Sequence, residues 1–268
     1  MQRKLNILTS AYVLFLVLLY LSASLDGLLS EGVYYLAFIL PVAICLWVTR
    51  TDKTGWREYL KIDMDGVRLA APIVFPTVAV IMLISLVTSA VIFALTGKTS
   101  EVNLGDSYIL ALISHALVPA VLEEALFRYI PMRLLAPHSP RYAIVISAVF
   151  FALVHQDLFT IPYALVAGVI FMAVNLATDS VIPSLVIHFV NNALSVTLGF
   201  ITYEGNLIIL MLWLALIVLA SVIMIIKNRD EYEIPLMLIT DKGEGARPTA
   251  QMIIFALFTL TVAVLNLL

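Results

Sequence analysis

Long apolar runs separated by short polar stretches dominate this sequence. Each run approaches the roughly 20 residues that an α-helix needs to cross about 30 Å of hydrocarbon. The runs lack the alternating pattern of a membrane β-barrel, so helices are the form that satisfies the backbone inside a bilayer. The predicted spans are 5–25, 32–48, 69–96, 108–135, 141–156, 158–178, 181–202, 207–226 and 252–268. The sequence therefore predicts an all-α polytopic transmembrane helix bundle with eight or nine spans.

The polar stretches between the runs are short, and we see no second domain among them. We expect a single integral membrane domain over 1–268, with its candidate chemistry at about 108–200. The stretch 50–68 mixes both charges with aromatic residues, which is more typical of a solvated or interfacial connection than of a substrate-recognition element. The stretch 228–251 is polar and contains Pro248, which indicates a flexible cytoplasmic loop.

The basic residues predict an orientation. If the spans alternate, 13 Lys and Arg residues fall on one side of the bilayer and only Lys98 falls on the other. The 13 are Arg3, Lys4, Arg50, Lys53, Arg57, Lys61, Arg68, Arg133, Arg141, Lys227, Arg229, Lys242 and Arg247. Cytoplasmic loops carry an excess of basic residues. We therefore expect a multi-pass protein of the cell membrane whose N-terminus is cytoplasmic.

Composition narrows the classes of function. Hydrophobic residues make up 62% of the chain and charged residues 12%, whereas soluble domains carry roughly 25% charged residues. A net charge of -3 gives no sign of nucleic-acid binding, so membrane lipid is the expected surrounding. Cys45, the only cysteine, lies inside an apolar run and is interpreted as a small buried hydrophobe rather than a nucleophile.

Ionisable side chains inside the spans concentrate in three of them. Each such group costs about 2.5 to 3.5 kcal/mol on insertion scales, so it usually faces a partner or a water-filled cavity. In the fourth span Glu123 and Glu124 are adjacent, and Arg128 follows Glu124 at i,i+4 on the same helix face. Adjacent positions point about 100° apart, so this pairing leaves Glu123 as a candidate general base. The alternative is one structural ion network of all three side chains.

Two further spans carry the remaining candidates. The fifth ends with Phe151 and His155, and the seventh contains His188 and Asn192 at i,i+4. A rise of about 1.5 Å per residue places four side chains roughly 18, 21, 11 and 17 Å from the cytoplasmic ends of their spans. These are Glu123, His155, His188 and Asn192, in that order. A lone intramembrane His is usually a hydrogen-bonding residue, but three spans with such groups at similar depth indicate a site.

The chemistry available to such a site is hydrolytic. Glu123 and His155 would bind a water, and the carboxylate would take its proton as the water attacks a peptide carbonyl. His188 and the Asn192 amide would donate hydrogen bonds to the developing oxyanion. A Glu with two His residues could instead hold zinc with a water in the open position. Because the sequence has no His-Glu-x-x-His arrangement, we expect no metal and no cofactor.

The motifs, in chain order, are Glu123-Glu124-x-x-x-Arg128, Phe151-x-x-x-His155 and His188-x-x-x-Asn192. On separate spans and in this order, they resemble the motif set of the CAAX prenyl protease 2 family, also called the CAAX protease and bacteriocin-processing family. The resemblance implies a glutamate-dependent intramembrane endopeptidase in a cavity open to the cytoplasm. It implies Glu123 as the base, His155 as its partner in holding water, and His188 with Asn192 as the oxyanion site. Glu124, Arg128 and Phe151 would organise the site.

The resemblance implies peptide or protein substrates, with prenylated ones among them. The alternative function is a transport, immunity or scaffold protein that uses the same buried acids as a proton or ion pathway. Against transport, we find no inverted repeat and no pair of broken helices in matching halves. Outside the motifs, His115 is interpreted as structural, Asn175 as an interhelical hydrogen-bonding residue, and Asn191 as a cap for a neighbouring backbone.

Overall fold

A computed structural model describes residues 1–50, 64–99, 104–201, 207–240 and 247–267. The structure is 87% helical, and the described residues form no strand. The helices are α1 Gln2–Ala23, α2 Gly27–Val48, α3 Met64–Thr96, α4 Tyr108–Leu135, α5 Pro140–Leu153, α6 Ile161–Thr178, α7 Ile182–Ile201, α8 Leu207–Lys227, α9 Glu233–Thr240 and α10 Ala250–Leu267. Eight of these are long and apolar enough to cross a membrane, which leaves out α5 and α9. The predicted all-α polytopic bundle is therefore confirmed.

Helix α5 is shorter than the span predicted over 141–156. Its 14 residues reach about 21 Å at the usual helical rise, less than the hydrocarbon thickness. The side chain of Ser139 caps its start by accepting a hydrogen bond from the Tyr142 N–H, at 3.3 Å. Beyond its end, Gln156 adopts a left-handed conformation with φ of 51°, which turns the chain into the segment before α6. His155 therefore follows a helix that stops inside the bundle.

Helix α4 is irregular where the candidate site lies. It contains two π-helical segments, Leu112–Leu117 and Ala125–Tyr129. Such wider turns leave backbone carbonyls without their regular partners, and in a membrane these carbonyls need other donors. The carbonyl of Phe127 accepts hydrogen bonds from the Ser147 hydroxyl and the Arg128 guanidinium. The second segment is thus held by the neighbouring helix α5 and by its own arginine.

One end of the bundle gathers the starts of α1, α3, α5, α7 and α10 and the ends of α2, α4, α6 and α8. Arg133, near the end of α4, donates to the Thr49 carbonyl at the end of α2, at 3.3 Å. Tyr232, just after α8, donates to the Pro72 carbonyl near the start of α3, at 2.8 Å. These contacts join segments that carry the predicted cytoplasmic arginines and lysines. We call this the basic end.

Polar contacts between helices also hold the opposite end of the bundle together. Tyr20, near the end of α1, donates to the Gln156 side-chain oxygen at 2.7 Å. Asn266, near the end of α10, donates to the Gln156 carbonyl at 3.0 Å. Lys98, just after α3, donates to the Leu267 carbonyl at 2.5 Å. We call this the distal end, and the alternation of the long helices between the two ends agrees with the predicted spans.

Two of the sequence interpretations concern the connections and the single cysteine. The stretch 228–251, predicted as a flexible loop, contains the helix Glu233–Thr240, which packs against α5 and α6. That prediction was wrong there because the run after Glu233 is apolar, and side chains of this run pack against the hydrophobic core. The stretch predicted as interfacial lies mostly in 51–63, outside the described residues. Cys45 is 1% exposed, so its predicted burial is confirmed.

Candidate active site

The four predicted catalytic residues line one cavity. Its volume is about 1210 Å³, and α3, α4, α6, α7, α8 and the end of α5 form its walls. Glu123 reaches it from α4, His155 from the turn after α5, and His188 and Asn192 from α7. The structure therefore brings together all four side chains that sequence reasoning assigned to catalysis.

Glu124 sits outside the cavity in a dense set of polar contacts. Its carboxylate lies 3.5 Å from the Arg128 Nε, and this pair of side chains is 2% and 0% exposed. The Ser184 hydroxyl donates a hydrogen bond to the same carboxylate oxygen. The other oxygen accepts from His188 Nδ1 at 2.9 Å. Glu124 thus has partners on both oxygens, as a buried charge requires, and its predicted pairing with Arg128 is present.

His188 lies between the two glutamates. While Nδ1 contacts Glu124, its Nε2 is 3.6 Å from a Glu123 carboxylate oxygen. That second distance is too long for a hydrogen bond. The Glu123 side chain is 18% exposed, whereas that of Glu124 is 2% exposed. Of the two adjacent acids, Glu123 is therefore the one that reaches the cavity.

Phe151 connects the buried cation to both histidines. The Arg128 guanidinium carbon lies 4.1 Å from the centroid of its ring, a cation–π distance. His155 and His188 meet the same ring edge-on, with centroids 5.0 and 5.8 Å away. The Phe171 ring makes a second contact with this cation, since its centroid lies 5.3 Å from the guanidinium carbon. The two phenyl rings fix the positions of the charged and imidazole groups around them.

The tautomer of His155 follows from its hydrogen bond. Its Nδ1 is 2.7 Å from the Phe151 carbonyl oxygen. A carbonyl only accepts, so Nδ1 carries the proton, and the neutral ring keeps its lone pair on Nε2. An imidazole held in this way can accept a hydrogen bond from a water in the cavity.

Asn192 is positioned by its neighbour. The Asn191 amide donates to the Asn192 side-chain oxygen at 3.2 Å. With its oxygen engaged, Asn192 retains two N–H donors for a ligand in the cavity. Asn191 was interpreted from the sequence as a cap for a neighbouring backbone, but its amide bonds a side chain instead.

Ser184, which donates to Glu124, was missed by sequence reasoning. The Asn175 amide donates to the Ser184 hydroxyl at 2.7 Å, and Ser184 in turn donates to Glu124. The Ser184 N–H returns a bond to the Asn175 side-chain oxygen at 3.1 Å. Because Asn175 lies on α6 and Ser184 on α7, its predicted interhelical role is confirmed. Serines are common in spanning helices, so Ser184 alone gave no signal.

The remaining features considered from the sequence are His115 and a zinc site. His115 also lines the cavity, and the Ser114 hydroxyl lies 3.0 Å from its Nδ1. Among the described residues, no three His, Cys, Asp or Glu side chains converge closely enough to hold a metal ion. The set considered for zinc, Glu123 with His155 and His188, is therefore not such a group.

The direction of the cavity differs from what the family resemblance implied. The cavity extends from Glu123 toward Asp106, Gly199 and Phe200, which lie at the distal end. The resemblance implied an opening to the cytoplasm, and the basic residues predicted a cytoplasmic basic end. Because the cavity extends away from the basic end, it cannot open to the cytoplasm if the basic end is cytoplasmic.

The fold and site define a multi-pass membrane protein with a buried polar centre. Residues 105–194, about a third of the chain, match the model of the Rce1-like family, described as type II CAAX prenyl endopeptidase Rce1-like. All three sequence motifs lie inside the matched region, so the family resemblance is confirmed there. No curated protein and no solved structure matches the chain. The family match indicates an intramembrane protease of the CAAX type that acts on peptides or proteins.

Proposed function

We propose that the protein is a single-domain intramembrane endopeptidase in which Glu123 activates a water. The observation that carries this proposal is the contrast between the two adjacent acids. Glu124 is 2% exposed and has partners on both oxygens, while Glu123 is 18% exposed and lines the cavity. A general base must reach the proton that it removes, and only Glu123 does so. The catalytic core is the region 108–200.

The water is held between Glu123 and His155. The Nε2 lone pair of His155 accepts one hydrogen bond from it, since Nδ1 is committed to the Phe151 carbonyl. The Glu123 carboxylate accepts the other and takes that proton as the water oxygen attacks the peptide carbonyl carbon. A positioned general base typically contributes about 10² to 10⁴-fold to the rate.

His188 and Asn192 stabilise the oxyanion that forms. Because Nδ1 of His188 donates to Glu124, the ring can also donate from Nε2 only when both nitrogens are protonated. In that state two cations, Arg128 and His188, balance the carboxylates of Glu123 and Glu124. Asn192 supplies a neutral N–H donor beside the charged one.

Breakdown of the tetrahedral intermediate completes the reaction. The oxyanion re-forms a carbonyl as the C–N bond breaks, and protonated Glu123 gives its proton to the leaving amine. The attacking oxygen remains in the new carboxyl group of the product. Glu124, Arg128 and Phe151 touch no reacting atom in this scheme. They position His188 and His155.

The substrate is a peptide segment that enters from or along the membrane. Part of the cavity wall is apolar, from Met82 and Leu86 on α3 to Met211 and Leu214 on α8. Such a wall suits apolar side chains or a lipid group of the substrate, prenyl groups included. We place the protein in the cell membrane with its N-terminus in the cytoplasm, in agreement with the positive-inside rule.

The experiment that tests this function is cleavage of farnesylated and unmodified peptides by the purified protein in detergent. Wild type is expected to cut at least one class, with or without a zinc chelator. Glu123→Gln, folded as judged by its thermal stability, is expected to cut that class about 10² to 10⁴-fold more slowly. Cleavage that the chelator abolishes would replace the glutamate mechanism by a metal one. A folded wild type that cuts nothing, but moves protons across sealed vesicles, would support the ion-pathway alternative.

A further inference from the structure

We propose that the site is reached from the extracytoplasmic face, and that its substrates are peptide segments exposed on that side. The part that concerns substrates rests on the proposed peptidase function. The part that concerns access rests only on where the cavity lies in the bundle and on the distribution of charge between its ends.

Helices α4 and α7 both contribute only their distal portions to the cavity. From α4 and the chain before it, the lining residues run from Leu104 to Glu123, and none comes from the turns that follow. From α7, they begin at His188 and continue to Phe200. The Tyr108 and Thr197 hydroxyls lie 2.9 Å apart, which places the start of α4 beside the end of α7. Both helices thus place the cavity on the distal side of the two glutamates.

The other long helices of the cavity wall follow the same rule. Helix α3 runs toward the distal end and lines the cavity with residues in 81–89, in its second half. Helix α8 runs away from the distal end and contributes residues in 210–214, in its first half. Helix α6 contributes Tyr163, Ala164 and Ala167 from its distal half, and Phe171 just past its midpoint. The cavity therefore lies between the catalytic centre and the distal end.

The region between the site and the basic end is closely packed. Arg128 is 0% exposed, and every residue from Leu126 to Leu135 is buried. These residues pack with α1, α2 and α5 into one core cluster. Close-packed protein interiors hold few voids larger than a water molecule. A substrate approaching from the basic end would have to open this packed layer, whereas the distal side already has a cavity.

Charge then assigns the distal end to a compartment. Among the described residues of the distal end, Lys98 is the only Lys or Arg, and the acids Asp26, Asp106 and Asp157 lie there. The basic end holds Arg3, Lys4, Arg50, Arg68, Arg133, Arg141, Lys227, Arg229 and Arg247. An excess of this size places the basic end in the cytoplasm. The substrates are then extracytoplasmic segments of membrane or exported chains, rather than tails of cytoplasmic proteins.

Cysteine accessibility tests this proposal without any substrate. Cys45 is 1% exposed and is the only native cysteine, so Cys45→Ser gives a clean background. Single cysteines are then placed in the cavity by Ser195→Cys, and by Ser89→Cys as a second reporter. Arg229→Cys marks the basic end. Intact cells and inverted vesicles are treated with a membrane-impermeant maleimide, and each variant is first checked for wild-type thermal stability.

We expect both cavity cysteines to be labelled in intact cells, and Arg229→Cys to be labelled only in inverted vesicles. Labelling of Arg229→Cys in intact cells would overturn the orientation. Labelling of the cavity cysteines from the same face as Arg229→Cys, or from neither face, would overturn the access route. Because the readout needs no cleavage, these outcomes are independent of whether the protein is a peptidase.

Discussion

Replacing Arg128 by methionine removes the cation of a fully buried ion pair. The guanidinium lies 3.5 Å from Glu124 and 4.1 Å from the centre of the Phe151 ring, and it has no solvent exposure. Removal of one partner leaves the Glu124 charge buried without its counter-ion, which typically costs about 3 to 5 kcal/mol. We therefore expect Arg128→Met to lose that much stability, far more than the roughly 0.5 kcal/mol expected for the exposed control Arg229→Met.

A second variant separates the buried charge from simple loss of packing. Glu124→Gln combined with Arg128→Met removes both charges and keeps a side chain of similar size at each position. Coupled neighbours usually show interaction energies of about 0.5 to 3 kcal/mol. We expect the double variant to be more stable than Arg128→Met alone, as measured by unfolding in mixed micelles. If the two single losses simply add, the pair is not coupled, and the account of Glu124 as a carboxylate held by Arg128 is wrong.

Four further substitutions test separate parts of the site and its support. Glu123→Gln should lower cleavage about 10² to 10⁴-fold and leave the unfolding midpoint near that of wild type. Glu124→Gln should lower both cleavage and the unfolding midpoint, because the Glu124 side chain is buried and has hydrogen bonds on both oxygens. Asn192→Ala should slow turnover about 10² to 10³-fold with little change in peptide binding, because an oxyanion donor acts mainly in the transition state. Gly168→Ala should cost about 1 to 3 kcal/mol in unfolding experiments, since its Cβ would lie 2.7 Å from a backbone carbon of α5. The control Gly32→Ala, with open space around it, should be neutral or stabilising.

The spans could be predicted because each carries its own signal. A run of about 20 apolar residues indicates a spanning helix without reference to its neighbours. The helix before His155 shows where this fails. The predicted span continues to 156, but the helix ends at Leu153 and the chain turns through Gln156 in a left-handed conformation. Val154 still belongs to the apolar run and polar residues follow only from His155, so the residue at which the helix stops depends on tertiary packing.

The site residues could be identified from the sequence, but most of their contacts could not. The pairing of Glu124 with Arg128 follows from helical spacing on one segment. The contact of Glu124 with His188 joins α4 to α7, and a single sequence carries no information on which faces of two distant helices meet. The serine that donates to Glu124 was missed for the same reason.

The direction of the cavity required the assembled bundle. Sequence reasoning placed the side chains at similar depths, but depth alone does not say on which side the space lies. The buried segment from Leu126 to Leu135 lies on one side of the site, and the residues with which α3, α4, α7 and α8 line the cavity lie on the other. The resemblance to a family supplied an opening by analogy, and fold-level analogy does not fix the access route.

The most direct test of the central claim is mass spectrometry of peptides incubated in ¹⁸O-labelled water with wild type or Glu123→Gln. The account predicts new peptide termini with wild type, one ¹⁸O atom in each new carboxyl group after a single turnover, and at least about 10²-fold fewer new termini with a folded Glu123→Gln. Equal cleavage by both proteins would contradict the assignment of Glu123 as the base that activates the attacking water.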